Sequence, residues 1–280
     1  ARKPKPAIHL PIDQFFISLA ERQKENAIGV VLSGSASDGT TGLKAIKIAG
    51  GITIAQDETA KFQSMPRSAI AEGVVDMVLP PDEIARELKR LSQQTIILQE
   101  VIHDGQEEEI TDNDEDLRRI IHLLKKSINV DFSHYKMNTI KRRIVRRMLL
   151  YKLDTLHNYL QYLKEHTSEV NILYNDLLIN VTSFFRDPDS MEFLKKTVLQ
   201  RIIKNKPQND PIRIWVPACS TGEEAYSLAM IFVEILGDNS AHNVIQIFAT
   251  DLSEAAIAKA RLGFYSRNEM VNVSPQQLQR

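Results

Sequence analysis

Asp104 to Asp116 holds eight carboxylates and no basic side chain. Like charges at that density repel one another and resist burial, so the block reads as a flexible, solvated linker, and any core must form on either side of it. A sharper reading has it fold back on a basic helix further along and screen it. The linker is drawn at 93–115, with Gln93 to Ile102 as a possible extension of the preceding helix. It separates an α/β stretch, 1–92, from a helical stretch, 116–185, and a second α/β stretch, 186–280.

Before the linker, short apolar runs rich in Val and Ile alternate with helical periodicity. Strands are expected over Ala27 to Leu32, Ile52 to Ala55 and Val74 to Leu79. Helices are expected over Ile12 to Arg22, Thr41 to Ala49, Pro66 to Glu72 and Asp82 to Leu91. Such alternation implies parallel βαβ units, whose functional groups gather past the carboxyl ends of the strands. Asp38, in the loop Ser33 to Gly39 after the first strand, has that position; a turn or helix-cap aspartate is the bland alternative.

After the linker come four expected helices, Asp116 to Ser127, Lys136 to Tyr151, Thr155 to Glu165 and Glu169 to Ile179. On a wheel of about 100° per residue, the second places Ile140, Ile144, Val145, Met148 and Leu149 on one half. Arg142, Arg143, Arg146 and Arg147 form a band on the other, and Lys141 must snorkel from the apolar side. The band is either a solvated face of a core-packed helix or a strip of bidentate donors for an acidic partner. Nucleic acid is the weaker partner, since no stacking platform accompanies the arginines and the formal net charge is −1.

The last stretch reads as a helix (Asp189 to Asn205), a strand (Ile212 to Val216), a turn (Ala218 to Gly222) and a helix (Glu223 to Leu236). A strand, Val244 to Ala249, ends at Thr250-Asp251 before a helix, Glu254 to Leu262. An acid at the tip of a second parallel strand frames an adenosine ribose. Gly222 alone matches a dinucleotide fingerprint. The acidic helix start, Glu223-Glu224, disfavours a phosphate ligand and suits a phosphate-free cation; stabilisation of the helix dipole is the alternative. Cys219, the single cysteine, excludes an internal disulfide framework and reads as a small core residue. No apolar run approaches the roughly 18 residues of a membrane span.

Two runs carry a resemblance. Asn180-Val181-Thr182-Ser183-Phe184-Phe185-Arg186 and Trp215 to Ser227 (Trp-Val-Pro-Ala-Cys-Ser-Thr-Gly-Glu-Glu-Ala-Tyr-Ser) are similar to the signatures of chemoreceptor glutamate methyltransferases of the CheR type, from about Asp116 onward. Residues 1–92 resemble the C-terminal half of the CheB-type methylesterase, through the loop around Asp38 and through Met65-Pro66-Arg67. The resemblance implies a truncated parallel-sheet esterase-like domain, a small all-α domain and a partial Rossmann-like methyltransferase domain. It implies S-adenosylmethionine as cofactor, held by Asn180, Thr182, Arg186, Glu224 and Asp251, with Arg186 orienting the substrate carboxylate and no metal. It makes Asp38 the esterase triad aspartate and Arg142, Arg143, Arg146 and Arg147 the contact to glutamate-rich receptor helices.

The chain departs from the family patterns at Ser35, Ala36 and Ala225, where the families have methionine, glycine and proline. It opens at Ala1 without a methionine, as a piece of a longer product would. The family's nucleophilic serine and histidine lie upstream of Ala1, so the chain alone is expected to show no esterase turnover. Further cofactor contacts are expected beyond Arg280. A cytoplasmic setting follows from the family and the single cysteine. Two other functions remain open: a non-catalytic signalling scaffold, and a methyltransferase for another acceptor.

Overall fold

The computed structural model describes residues 10–103, 115–178, 181–206, 210–237, 244–267 and 269–279, excluding the side chains of 95–103. The chain forms two compact units, Ala1–Leu177 and Leu178–Arg280. Most of the acidic block, 104–114, lies outside the described residues, so both readings of it do too.

Unit 1 begins with α1 (Pro11–Gln23), β1 (Ile28–Val31), α2 (Thr40–Ala49), β2 (Ile52–Gln56), α3 (Ser64–Ala71), β3 (Met77–Leu79) and α4 (Pro81–His103). The strands pair in parallel in the order β1-β2-β3, with Ile28 opposite Ile52 and Ile54 opposite Met77. β2 lies in the middle and is buried at all five positions, which is why its sequence is a continuous apolar run rather than an alternation. α1 and α2 close over the core built from Phe16, Ala20, Val31, Leu43 and Ile46. α2 stops at Gly50, whose φ of 99° only glycine adopts without strain.

α4 runs through residue 103, so the expected extension into the linker is helical. β3 is shorter than expected and starts at Met77; just before it, the Asp76 carboxylate accepts from the Thr53 amide and hydroxyl while the Asp76 amide donates to the Thr53 carbonyl at 3.0 Å. Four more helices complete the unit: α5 (Glu115–Ile128), α6 (Met137–Tyr151), α7 (Leu156–Glu165) and α8 (Thr167–Leu177). Leu117, Ile120, Ile121 and Leu124 of α5 are buried, and Thr155 caps α7 by accepting from the Asn158 amide at 3.2 Å.

Unit 2 holds α9 (Pro188–Phe193), wider π-helical turns (Leu194–Leu199), α10 (Gln200–Asn205), β4 (Ile212–Pro217), α11 (Glu223–Leu236), β5 (Ile245–Thr250) and α12 (Glu254–Leu262). The expected helix Asp189 to Asn205 thus forms with a π insertion. β4 and β5 pair in parallel from Ile212↔Ile245 to Pro217↔Thr250, which aligns the two strand ends. Leu199, Ile212, Ile231, Phe232 and Leu236 pack as the core below them.

Candidate functional site

The expected cofactor residues fall on three segments of unit 2, which backbone hydrogen bonds stitch together. Asp251, at the tip of β5, accepts from the Ser220 amide at 2.8 Å through one oxygen and from the Ser253 amide at 2.8 Å through the other. Its carboxylate therefore ties the turn after β4 to the start of α12. The Cys219 amide adds a bond to the Thr250 carbonyl at 3.0 Å. The turn itself places Ala218, Ser220 and Gly222 at φ of 53°, 50° and 98°. Left-handed backbone at two non-glycine positions is strained and persists only where the surroundings enforce it.

Two more left-handed residues, Phe185 and Asp187, lie in the run that contains Thr182 and Arg186. The Phe185 amide donates to Ser227 Oγ at 2.9 Å, and that hydroxyl donates to the Glu223 carbonyl at 2.7 Å. One serine therefore joins the run to the first turn of α11. Phe184 is buried, its ring 4.9 Å from that of Tyr265 in an edge-to-face contact, and its carbonyl accepts from Asn272 Nδ2 at 3.3 Å. Thr182 is half-buried. Arg186 is exposed and donates through Nη1 to the Val181 carbonyl at 2.7 Å, which folds the run back on itself and leaves its other donors open among the described residues. Asn180 lies outside the described residues.

The two glutamates differ. Glu223 is buried and accepts from Thr221 Oγ1 at 2.9 and 2.7 Å, so its carboxylate shapes the turn. Glu224 is exposed, and its carboxylate forms no hydrogen bond or ion pair among the described residues. The buried Cys219 thiol is pushed up first by burial, then by Asp251, and further by Glu224 and Glu223. Three carboxylates around one turn make a negative field with one open acid, which fits a cationic, phosphate-free cofactor. Among the described residues no His, Cys, Asp and Glu group of three or more could hold a metal ion.

Tyr265, Ser227 and Asn272 organise this region. Tyr265 donates to the Thr221 carbonyl at 2.6 Å while its ring meets Phe184 and Tyr226, and burial raises its hydroxyl pKa. Neither Tyr265 nor Asn272 carries a sequence signal, because each acts through contacts 44 and 88 residues away.

In unit 1, Asp38 is half-buried and accepts from the Ile12 amide at 3.1 Å and the Asp13 amide at 2.9 Å. It caps the N-terminus of α1, which has no cap of its own. Asp13, not singled out from the sequence, is buried and accepts from the Gly42 amide at 2.7 Å. Burial, and then the Asp38 carboxylate, raise its carboxyl above the usual range. Ala36, at the family's glycine position, has φ of 66°. Gly34 lies against Met65, where a Cβ would come within 2.3 Å of the methionine methyl, so the two esterase-like runs touch.

The solvated arginine band is corrected. Arg143, Arg146 and Arg147 are 6%, 2% and 8% exposed. Arg143 donates to the Lys47 carbonyl at 2.8 Å and to the Ile48 carbonyl, at the negative end of the α2 dipole. Arg146 donates to the Gly51 carbonyl at 3.0 Å and pairs with Asp76 and with Asp176, the latter at 2.8 Å. Arg147 grips Glu169 bidentately at 2.8 and 2.6 Å. Arg142 alone stays half-exposed, 3.6 Å from Glu25. The reason is packing: the polar half of α6 lies between the first α/β elements of unit 1, which offer carbonyls and Asp76 to Arg143 and Arg146, and α8, which offers Asp176 and Glu169 to Arg146 and Arg147. Burial alone would raise the Asp76 carboxyl, but the Arg146 guanidinium, with Lys47 and Thr53, outweighs it and holds it below the usual range. Burial and the neighbouring Arg146 lower Arg143 to about 10.

Three family models match in order: CheB methylesterase over residues 2–88, the all-alpha domain of CheR methyltransferase over 115–178, and its SAM binding domain over 180–280. An uncharacterized 104.1 kDa protein in the hypE 3′ region of Rhodobacter capsulatus is 38% identical over 95% of this chain and 30% of its own length. The chemotaxis protein methyltransferase of Escherichia coli K12 is 33% identical over 60% of this chain and 56% of its own length. A crystal structure of the Thermotoga maritima CheB methylesterase catalytic domain is 38% identical, covering 32% of this chain and 48% of that one with a TM-score of 0.30. The chain spans about a third of the first relative and about half of the second. In sequence order, then, the chain is similar first to CheB methylesterases and then to the all-alpha and SAM binding domains of CheR methyltransferases.

Proposed function

We propose that unit 2 is the cofactor half of a protein-glutamate O-methyltransferase of chemotaxis-type signalling, acting on glutamates of chemoreceptor helices and joined in the whole protein to a methylesterase. The observation that supports it is the stitched turn: Asp251 and Ser227 bring both transferase motifs to one acidic helix start and leave Glu224 open. Glu224 and Asp251 would hold the cofactor's charged end and ribose, with Asn180 and Thr182 completing the contact. When bound, S-adenosylmethionine supplies an electrophilic methyl group on a sulfonium sulfur.

The chain's own contribution is positioning. A glutamate carboxylate is already ionised near neutral pH, so no strong base is needed, and alignment of the two reactants carries the rate. Arg186 orients that carboxylate through the donors it does not give to Val181, without a grip tight enough to quench the nucleophile. Asp38 alone supplies neither nucleophile nor base, so ester hydrolysis belongs to the whole protein. Among the described residues no helix is long and apolar enough to cross a membrane, and the reading places the reaction on the cytoplasmic side of the receptor.

The test is calorimetric titration with S-adenosylhomocysteine against a Thr182→Ala, Asp251→Ala double variant. Binding that the variant abolishes supports the site. Binding that survives in the folded variant removes it.

A further inference from the structure

The arginine face of α6 sits against groups that imitate an acidic helix. Arg146 reaches Asp76 and the Gly51 carbonyl, and Arg143 reaches the last carbonyls of α2, Lys47 and Ile48. A carboxylate and a helix C-terminus together present the charge that a glutamate-rich surface would present. The contact has a second row at its rim. Arg90 of α4 donates to the Leu149 carbonyl at 3.0 Å, Lys152 pairs with Glu87 at 2.8 Å, and Gln94 donates to Asp154. Glu87 also holds Arg90 at 2.7 Å, so one acid serves both helices.

We propose that the esterase-like elements of unit 1 occupy the arginine face of α6 in cis and compete with an acidic helix for it. The face is then closed while α6 is docked, with Arg142 as its one accessible guanidinium, and it opens to the substrate only when α4, the end of α2 and the residues around Gly51 and Asp76 release α6. This rests on the reading that the substrate is a glutamate-rich helix. It adds that the esterase-like region gates that helix, so the two regions are coupled through one surface. The aspartate pair does not explain the masking by itself: Asp176 belongs to α8 and stays with α6 when it undocks, whereas Asp76, Lys47, Ile48 and Gly51 do not.

The experiment uses this chain, its Asp76→Asn variant and its Glu87→Lys variant. The second acts at the rim and remains informative where the first fails to fold. A fluorescent, glutamate-rich helical peptide is titrated by anisotropy. Arginine accessibility is read by phenylglyoxal modification and mass spectrometry. In the parent, Arg142 should react while Arg143 and Arg146 are protected, and peptide binding should be weak. In the variants Arg143 and Arg146 should become reactive. Peptide affinity should rise about tenfold, as when a binding-competent state held near one part in ten becomes dominant. Equal peptide affinity in parent and variants overturns the gate. Released arginines that still take no peptide overturn it as well. S-adenosylhomocysteine titration of the same samples reports the cofactor site separately, so a failure there counts against the proposed transferase and not against the gate.

Discussion

The Arg146 guanidinium has Asp76 on one side, Asp176 on another and the Gly51 carbonyl on a third, and it is 2% exposed. The Glu224 carboxylate, two residues beyond the left-handed Gly222, is exposed and unpaired among the described residues. Both are charges on helices, and composition treats them alike. The difference is whether another part of the chain brings complementary atoms to them. A charge with three partners is committed to the fold, and its removal strands those partners. A charge held open by a neighbour, as Glu223 holds the turn for Glu224, is available to a ligand and nearly irrelevant to stability.

The comparison is broken most severely by Arg146→Ala. Removing Arg146 takes the closest counter-charge from the buried Asp76, which keeps only Lys47 at 3.3 Å and the Thr53 donors, and should destabilise unit 1 by about 3–5 kcal/mol, read by urea unfolding. A loss under about 1 kcal/mol would mean that water reaches the seam and that its charges resemble surface pairs.

Acid probes the same seam more gently. Asp76 has a folded pKa below the usual 3.8, so its contribution is complete above that value and is lost as the pH falls below it. Asp13 runs in the opposite sense. Its raised carboxyl contributes most below 3.8 and loses that contribution as the pH rises through its folded value. On acidification the urea midpoint of the parent should therefore shift downward relative to that of Asp76→Asn. Parallel pH curves for the two proteins would separate Asp76 from the acid response.

Backbone strain gives a smaller effect. Ala36 is left-handed where glycine would be unstrained, so Ala36→Gly should stabilise unit 1 by about 1 kcal/mol, measured as a rise in Tm. The smallest expected effect on stability, within about 0.5 kcal/mol, belongs to Glu224→Gln. That variant should nevertheless weaken S-adenosylmethionine binding, and a stability loss without an affinity loss would move Glu224 to the committed class.

Local patterns exposed most of the architecture. α11 and α12 match their expected spans residue for residue, because glycines stand at both ends of α11 and α12 starts at a Ser253 N-cap and stops at a left-handed Gly263. The fate of α6 was hidden for a definite reason. A helical wheel shows which half is apolar, but not what covers the polar half, and the atoms that cover it lie 70 to 96 residues earlier for Arg143 and Arg146 and 22 to 30 residues later for Arg147 and Arg146. The same distance hid Tyr265 and Asn272. Asp38 and Asp251 were visible as strand-end acids, but their double backbone bonds were not, since an amide donor has no signature in sequence.

Trp215 is the chain's single tryptophan. It is 68% exposed, two residues before the end of β4, with Nε1 donating to Thr250 Oγ1 at 3.1 Å, one residue before Asp251. Its emission therefore comes from unit 2 alone, next to the stitched turn. Fluorescence will follow that turn while far-ultraviolet dichroism follows the helices of both units, so a dichroism transition that leaves the emission unchanged marks the arginine seam melting apart from the acidic turn.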